Sequence, residues 1–185
     1  MSDHHGQATA VSIVVAIRRI GTTWFRLLFF VSRHGAFVTA PIRRQQFIHF
    51  CHWMVLTSVP DHDDDQVRLR WPVLWFESNY DGDVVRYMDT FRRIIPWRQR
   101  AAWMPTSRFP GISPPGPFHQ WTADNAYETT HYWCAYPDAT TREVGRSLRV
   151  NTAFDRLAEH RAVDDDDDEW RNRWNAFLVE VQGDL

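Results

Sequence analysis

RWPVLWFESNYDGDVVRYMDTF, at residues 70–91, is the stretch that decides the fold of this chain. Its first half alternates between two sets of side chains, Leu74 and Phe76 on one side and Trp75, Glu77 and Asn79 on the other. A period of two predicts a β-strand with two different faces. One face is apolar, whereas the other places a carboxylate and an amide beside a tryptophan.

The second half of this stretch predicts a tight turn followed by an amphipathic helix. The sequence Asp81-Gly82-Asp83 ends the strand, and we expect Asp81 to cap the helix that follows. Apolar residues then recur at helical spacing: Val84, Tyr87, Met88, Phe91 and Ile95.

Outward from this stretch, the chain continues the same alternation of strands and helices. We predict further strands at residues 10–17, 46–59 and 131–135, and helices at 24–33, 118–125, 140–160 and 169–181. The order β-α-β-β-α-loop-β is that of an α+β, ferredoxin-like (split βαβ) antiparallel sheet with helices on one face. Prolines predict an irregular loop over residues 96–117.

The domain organisation follows from changes in composition. Residues 1–9 are predicted to be a flexible tail, and residues 10–160 form the ferredoxin-like domain. Residues 161–185 combine an acidic linker with a C-terminal amphipathic helix.

Composition excludes several function classes. All 21 basic residues are Arg, so Schiff-base and Walker-type lysine chemistry are excluded, and the net charge of −2 predicts no nucleic-acid partner. The two cysteines, Cys51 and Cys134, form no zinc-binding pattern, and their pairing is left open. The chain shows neither a signal peptide nor a run of membrane-spanning length, which predicts a cytoplasmic protein with no membrane partner.

The two faces of the predicted sheet differ in polarity, and this difference predicts a site. We expect an apolar set to face the helices, with His52 as a polar exception on the same side: Phe50, Met54, Leu56, Leu74 and Phe76. The open face would then gather His49, Cys51, Trp53, Trp75, Glu77 and Asn79, with either His131 and Trp133 or Tyr132 and Cys134. Because exposed aromatic area favours burial, a second subunit or the C-terminal helices would cover this face and enclose a pocket.

Acid/base chemistry is the reaction type that these residues favour. His49 and Glu77 are the predicted catalytic pair, as base and orienting carboxylate or with Glu77 as an acid; the alternative is a buried structural pair. The predicted substrate-binding residues are Trp53, Trp75, Asn79, His131, Trp133 and Tyr136. We expect no metal and no cofactor, with haem on His131 or His49 as the alternative.

Three blocks carry a family resemblance: residues 47–53 (FIHFCHW), 76–82 (FESNYDG) and 135–140 (AYPDAT). They resemble blocks of a poorly characterised bacterial family, and the similarity runs from about Val11 to Leu157. Tyr80 stands where that family has Phe. The resemblance implies a dimeric α+β barrel-like fold, peroxidase-like by analogy with dye-decolourising peroxidases, although the glycine-acidic motif of those haem enzymes is absent here.

Three hypotheses on function result. The first is an enzyme that acts without a cofactor on a small apolar organic molecule, in specialised metabolism, as a homodimer. The second is a haem-binding oxidative protein. The third is a non-catalytic binding or assembly protein that docks a partner through its aromatic helices at residues 24–31 and 170–181.

Overall fold

The computed structural model describes residues 8–35, 40–42, 45–61, 65–159 and 167–185. The chain divides into two compact units, Met1–Asp138 and Ala139–Leu185, whereas the sequence prediction placed the boundary at residue 160. Most of the predicted flexible tail and the start of the acidic linker, residues 1–7 and 160–166, lie outside the described residues. No helix within the described ranges is long and apolar enough to cross a membrane.

The N-terminal unit is built on a four-stranded antiparallel sheet. The strands lie in the order β2-β3-β1-β4, so that the first and third strands are central. Their bounds are β1 Ala8–Ala16, β2 Ile48–Pro60, β3 Gln66–Asp81 and β4 Ala126–Tyr127. This is the ferredoxin-like strand order, and the predicted fold class is confirmed.

Helices of the N-terminal unit cover one face of this sheet. They are α1 Arg19–His34, α2 Val84–Ile94, α3 Pro96–Trp103 and α4 Pro115–Asn125. Alternate side chains of the two central strands are buried beneath them: Val11, Ile13, Val15, Leu74, Phe76 and Tyr80. The helices contribute further residues to this core, among them Phe25, Met88, Trp103 and Trp121. The buried residues of the two strands therefore follow the period of two that the sequence shows.

The turn between β3 and α2 begins the helix differently from the prediction. Gly82 has φ +90°, a conformation that glycine adopts without steric cost. The N-cap is Asp83, whose Oδ1 accepts hydrogen bonds from the backbone N–H of Val85 at 2.8 Å and of Arg86 at 3.2 Å. The predicted cap, Asp81, is wrong because this residue still belongs to β3 and pairs with His49.

The proline-rich segment holds more regular structure than predicted. Helix α3 occupies residues 96–103 because Pro96 lies in its first turn, where a missing N–H costs nothing. After this helix, Thr106 bridges to Ile17, and the backbone N–H of Ser107 donates to the carbonyl of Ala16 at 2.8 Å. The expectation of an irregular loop over residues 96–117 is therefore wrong for residues 96–103 and for residues 115–117, where α4 begins.

The last strand lies earlier in the chain than predicted. Strand β4 directly follows α4 and pairs with Ser12 and Ile13 of β1. Residues 131–135, the predicted strand, have no regular secondary structure. A strand requires a partner edge, and residues 126–127 are the ones that pair with the edge of β1.

The C-terminal unit contains two helices, α5 Thr141–Glu159 and α6 Asp167–Val181. They enclose a small core of their own: Ala153, Leu157, Phe177 and Val181. The spacing of Thr140 and Glu143 in the sequence predicts a capping box at the start of α5, and the structure confirms it. Glu143 N–H donates to Thr140 Oγ1 at 3.2 Å, and Thr140 N–H donates to Glu143 Oε2 at 2.7 Å.

Candidate functional site

Trp53 lies at the centre of an aromatic cluster on the helix-covered face. Its ring centroid is 4.4 Å from that of Phe76 and 5.0 Å from that of Trp103. The rings of Phe25 and Phe29, in α1, are 6.4 and 6.5 Å away. Trp53 faces the helices because it is paired with Phe76, and opposite residues of an antiparallel pair point to the same side.

A cavity of about 270 Å³ lies beside this cluster, within the N-terminal unit. Residues of α1, β2, β3, α2 and α3 line it, and its aromatic walls are Phe29, Trp53, Phe76, Tyr87, Phe91 and Trp103. Ser32 and Arg98 add polar side chains to the lining. Aliphatic side chains such as Leu28, Ile48 and Met88 form much of the rest. Ligand pockets commonly measure about 300–1,000 Å³, so this cavity suits a small ligand.

Gln99 brings a buried amide to the lining of this cavity. The residue is only 4% exposed, and its Nε2 donates a hydrogen bond to the backbone carbonyl of Met88 at 3.2 Å. Its Oε1 is buried and has no hydrogen-bond partner among the described residues. The oxygen atom itself is fully buried, so a molecule in the cavity does not contact it.

Cys51 also lines the cavity, from β2. Cys51 is exposed as a residue, but desolvation of its sulfur raises the pKa of the thiol, and a hydrogen bond with Trp53 opposes this only in part. A raised pKa keeps the sulfur protonated at neutral pH, which is unfavourable for a nucleophile. Both cysteines of the chain lie within the described residues and are free thiols.

The hydroxyl of Tyr87 is held in a short chain of hydrogen bonds behind the cavity wall. Tyr87 Oη donates to Ser78 Oγ at 2.6 Å, and Ser78 Oγ donates to the carbonyl of Phe50 at 3.0 Å. Burial raises the pKa of Tyr87 above its usual value. The phenol therefore stays protonated and supports β2 against β3, while its ring lines the cavity.

On the opposite face of the sheet, Glu77 lies between two polar side chains. Its Oε2 is 3.5 Å from His52 Nδ1, and its Oε1 is 3.5 Å from Ser12 Oγ. The carboxylate is central, so this is not the Ser-His-Asp order, in which the imidazole is central. The His52–Glu77 contact is not a hydrogen bond, because His52 Nδ1 is buried and has no hydrogen-bond partner among the described residues. His52 and Glu77 are each about one-third exposed.

His49, the predicted partner of Glu77, lies elsewhere. A β-bulge falls between Ile48 and Phe50, which pair with Tyr80 and Asn79, and His49 occupies it. Its Nε2 is 2.6 Å from Asp81 Oδ1. The structure therefore pairs His52, and not His49, with Glu77.

The prediction of which side chains face the helices is correct for β3 and wrong for β2. Trp75, Glu77 and Asn79 share the open face, as predicted, but Cys51 and Trp53 face the helices. The residues of β2 that pair with the open-face residues of β3 are Phe50, His52, Met54 and Leu56. The large ring of Trp53 buries more apolar surface against the helices than Met54 would, and His52 keeps its polar atoms beside Glu77.

The other predicted binding residues lie after β4, in a segment without regular secondary structure. His131 is exposed, and Trp133 and Tyr136 are each 75% exposed. None of them lines the cavity described above. Within the part of the chain that the structure describes, no three His, Cys, Asp or Glu side chains are grouped to hold a metal ion.

Sequence reasoning missed His52 as the partner of Glu77, and it missed Gln99 and Trp103 in the lining of the cavity. Gln99 and Trp103 belong to α3, which was predicted to be a loop, so their spacing was not considered. The signal was Pro96 followed by several good helix formers.

Comparison with protein-family models, with curated proteins and with solved structures finds no match to this chain.

Proposed function

We propose that the N-terminal unit binds a small apolar organic molecule in the cavity between its helices and its sheet. The observation that carries this proposal is a space of about 270 Å³ beside the Trp53 cluster, with aromatic walls and the buried Gln99 amide in its lining. Protein interiors are close-packed, and a space of this size is larger than the voids of an ordinary core. Apolar walls with few polar groups are typical of small-molecule sites.

The experiment measures binding of benzothiophene, a flat bicyclic apolar probe, by isothermal titration calorimetry. Ala102→Phe places a ring at a position that lines the cavity, and Ala123→Phe places the same ring at an exposed position of α4. We expect Ala102→Phe to weaken binding at least tenfold and Ala123→Phe to leave it unchanged. Absence of binding to the wild-type chain, or equal binding by both variants, would contradict the proposal.

A second candidate function is acid/base catalysis on the open face, favoured by the His52–Glu77 pair. The Glu77 carboxylate, 3.5 Å from Nδ1, would orient the imidazole once it accepts a hydrogen bond from that nitrogen, and Nε2 would serve as base or acid. His52→Gln and Glu77→Gln should then each abolish proton exchange with a carbon-acid substrate, while the melting temperature stays within a few degrees. If both variants lose stability and no activity is found, the pair is structural.

A further inference from the structure

We infer that the cavity takes a flat apolar molecule that carries one carboxylate, and that this carboxylate pairs with Arg98 at the cavity opening. This inference rests on the proposed function, since it specifies the ligand class of the same cavity. It adds one requirement to apolar binding: an anionic group at one end of an otherwise apolar frame.

Arg98 and Ser32 bring hydrogen-bond donors to the cavity lining, and both residues are partly exposed. A residue that lines a cavity and also reaches solvent lies at the cavity opening. Among the described residues that line this cavity, Arg98 carries the only full charge, since no Asp or Glu belongs to the lining. The opening is therefore electropositive, whereas most of the remaining wall is apolar.

Contacts between α1 and α3 show how these two helices are oriented. A Cβ added at Gly21 would lie 2.9 Å from Pro105 Cβ, just after the end of α3. Three residues further along α1, Trp24 Nε1 donates a hydrogen bond to the carbonyl of Ala101 at 2.9 Å. The contact moves backward along α3 as the chain advances along α1, so the two helices run antiparallel.

This antiparallel arrangement gives the cavity a polar end and an aromatic end. Ser32 belongs to the last turn of α1 and Arg98 to the first turn of α3, so both lie toward the same end of the helix pair. Trp103 is the last residue of α3, and its ring packs against Trp53 and Phe76 at the other end. An aromatic frame with a charged group at one end matches this division.

The guanidinium of Arg98 suits a carboxylate, because its planar fork can donate two parallel hydrogen bonds to the two oxygens. It has five N–H donors, so a ligand can join the contact that it makes over the Trp97 ring, whose centroid is 4.8 Å from Cζ. Ser32 Oγ can donate one more hydrogen bond. The Cys51 thiol and the Tyr87 phenol stay neutral, because desolvation raises the pKa of each, and they therefore do not repel an anion.

The test compares 2-naphthoate with 2-naphthamide, which has the same bicyclic frame and nearly the same shape but no charge. Isothermal titration calorimetry at pH 7 gives the dissociation constants of both probes for the wild-type chain, for Arg98→Gln and for Arg100→Gln. Arg100 is an exposed arginine of the same helix that does not line the cavity, so its variant is the control. A distortion of the cavity affects both probes alike, so the ratio of the two constants isolates the charge interaction.

We expect the wild-type chain to bind 2-naphthoate about three- to tenfold more tightly than 2-naphthamide. Arg98→Gln should abolish this preference, Arg100→Gln should keep it, and Ala102→Phe should weaken binding of both probes because it fills the cavity. A preference that survives in Arg98→Gln would overturn the inference. Binding of 2-naphthoate that Ala102→Phe leaves unchanged would also overturn it, because the anion would then bind outside the cavity.

One comparison needs no variant and applies even where Arg98→Gln does not fold. If the wild-type chain binds 2-naphthamide at least as tightly as 2-naphthoate, the inference is overturned and the proposed apolar site stands. If neither of these probes nor benzothiophene binds the wild-type chain, the proposed function fails, and the inference fails with it.

Discussion

The helix-covered face of the sheet holds an aromatic cavity with a buried amide, whereas the opposite face carries the His52–Glu77 pair at the surface. His52 and Trp53 are neighbours in β2, and the alternation of the strand sends them to these two different faces. The cavity and the His52–Glu77 pair are thus separated by the thickness of one sheet. This separation favours ligand binding over acid/base catalysis within the cavity.

We expect the largest effect on stability at Phe76, and Trp75 serves as its comparison. The two residues are adjacent in β3 and point to opposite faces of the sheet. Phe76 is 3% exposed and contacts Trp53 and Trp103, whereas Trp75 is only half-buried. Phe76→Ala should lower the free energy of unfolding by about 3–5 kcal/mol, and Trp75→Ala by roughly 1–2 kcal/mol. Urea denaturation measures both. Equal losses would mean that the two faces are equally packed.

A smaller loss of stability is expected at Gly21, where α1 packs closely against Pro105 at the end of the helix-covered face of the sheet. A Cβ added at Gly21 would lie 2.9 Å from Pro105 Cβ, so Gly21→Ala forces α1 or the 105–107 segment to shift. The expected loss is about 1–3 kcal/mol, despite the better helix propensity of alanine. Gly116→Ala is the matched control, since nothing lies within 4 Å of its added Cβ. A stable Gly21→Ala variant would show that this packing is loose.

The smallest expected effect concerns a polar contact between α2 and α4, outside the cavity. Desolvation opposes ionisation of Asp89, but hydrogen bonds from His119 at 3.0 Å and from Arg92 at 3.1 Å outweigh it and lower the pKa of this carboxyl. A lowered folded-state pKa stabilises the fold above the ordinary carboxyl pKa, and this stability is lost as pH falls through the lowered value.

Asp89→Asn should therefore be less stable than the wild-type chain at pH 6, by less than about 1 kcal/mol, and the gap should close below about pH 4. Thermal melts from pH 6 to pH 2 measure it, with Asp138→Asn at an exposed position as the control. A gap that stays constant over this range would show that the contact stabilises through packing and not through charge.

Much of the fold could be predicted because its signals are local. The alternation in β3, the helical spacing from Val84 to Phe91 and the Thr140–Glu143 capping box each depend on residues close in sequence. The strand at residues 131–135 was predicted from the same kind of local signal and is absent. Aromatic residues favour strands only where an edge is open to pair with, and that edge is a property of the whole sheet.

The candidate site could be predicted only in part. Glu77, Trp75 and Asn79 lie on the open face because one strand pattern suffices to place them together. The partner of Glu77 depends on the register between two strands, and a bulge at His49 changes that register. Gln99 could not be recognised, because the orientation of its amide depends on the Met88 carbonyl, 11 residues away in another helix.

The sequence by itself determined which side chains of β3 share a face, since the period of two follows from backbone geometry alone. In β2 a bulge at His49 interrupts this period. The sequence also determined the ferredoxin-like order of elements. Only the tertiary structure decided which face of β2 meets the helices. Both faces of that strand are apolar enough for either choice, so the outcome rests on long-range packing of Trp53 against Phe76 and Trp103. That packing places the cavity on the helix-covered side of the sheet and leaves the His52–Glu77 pair on the other.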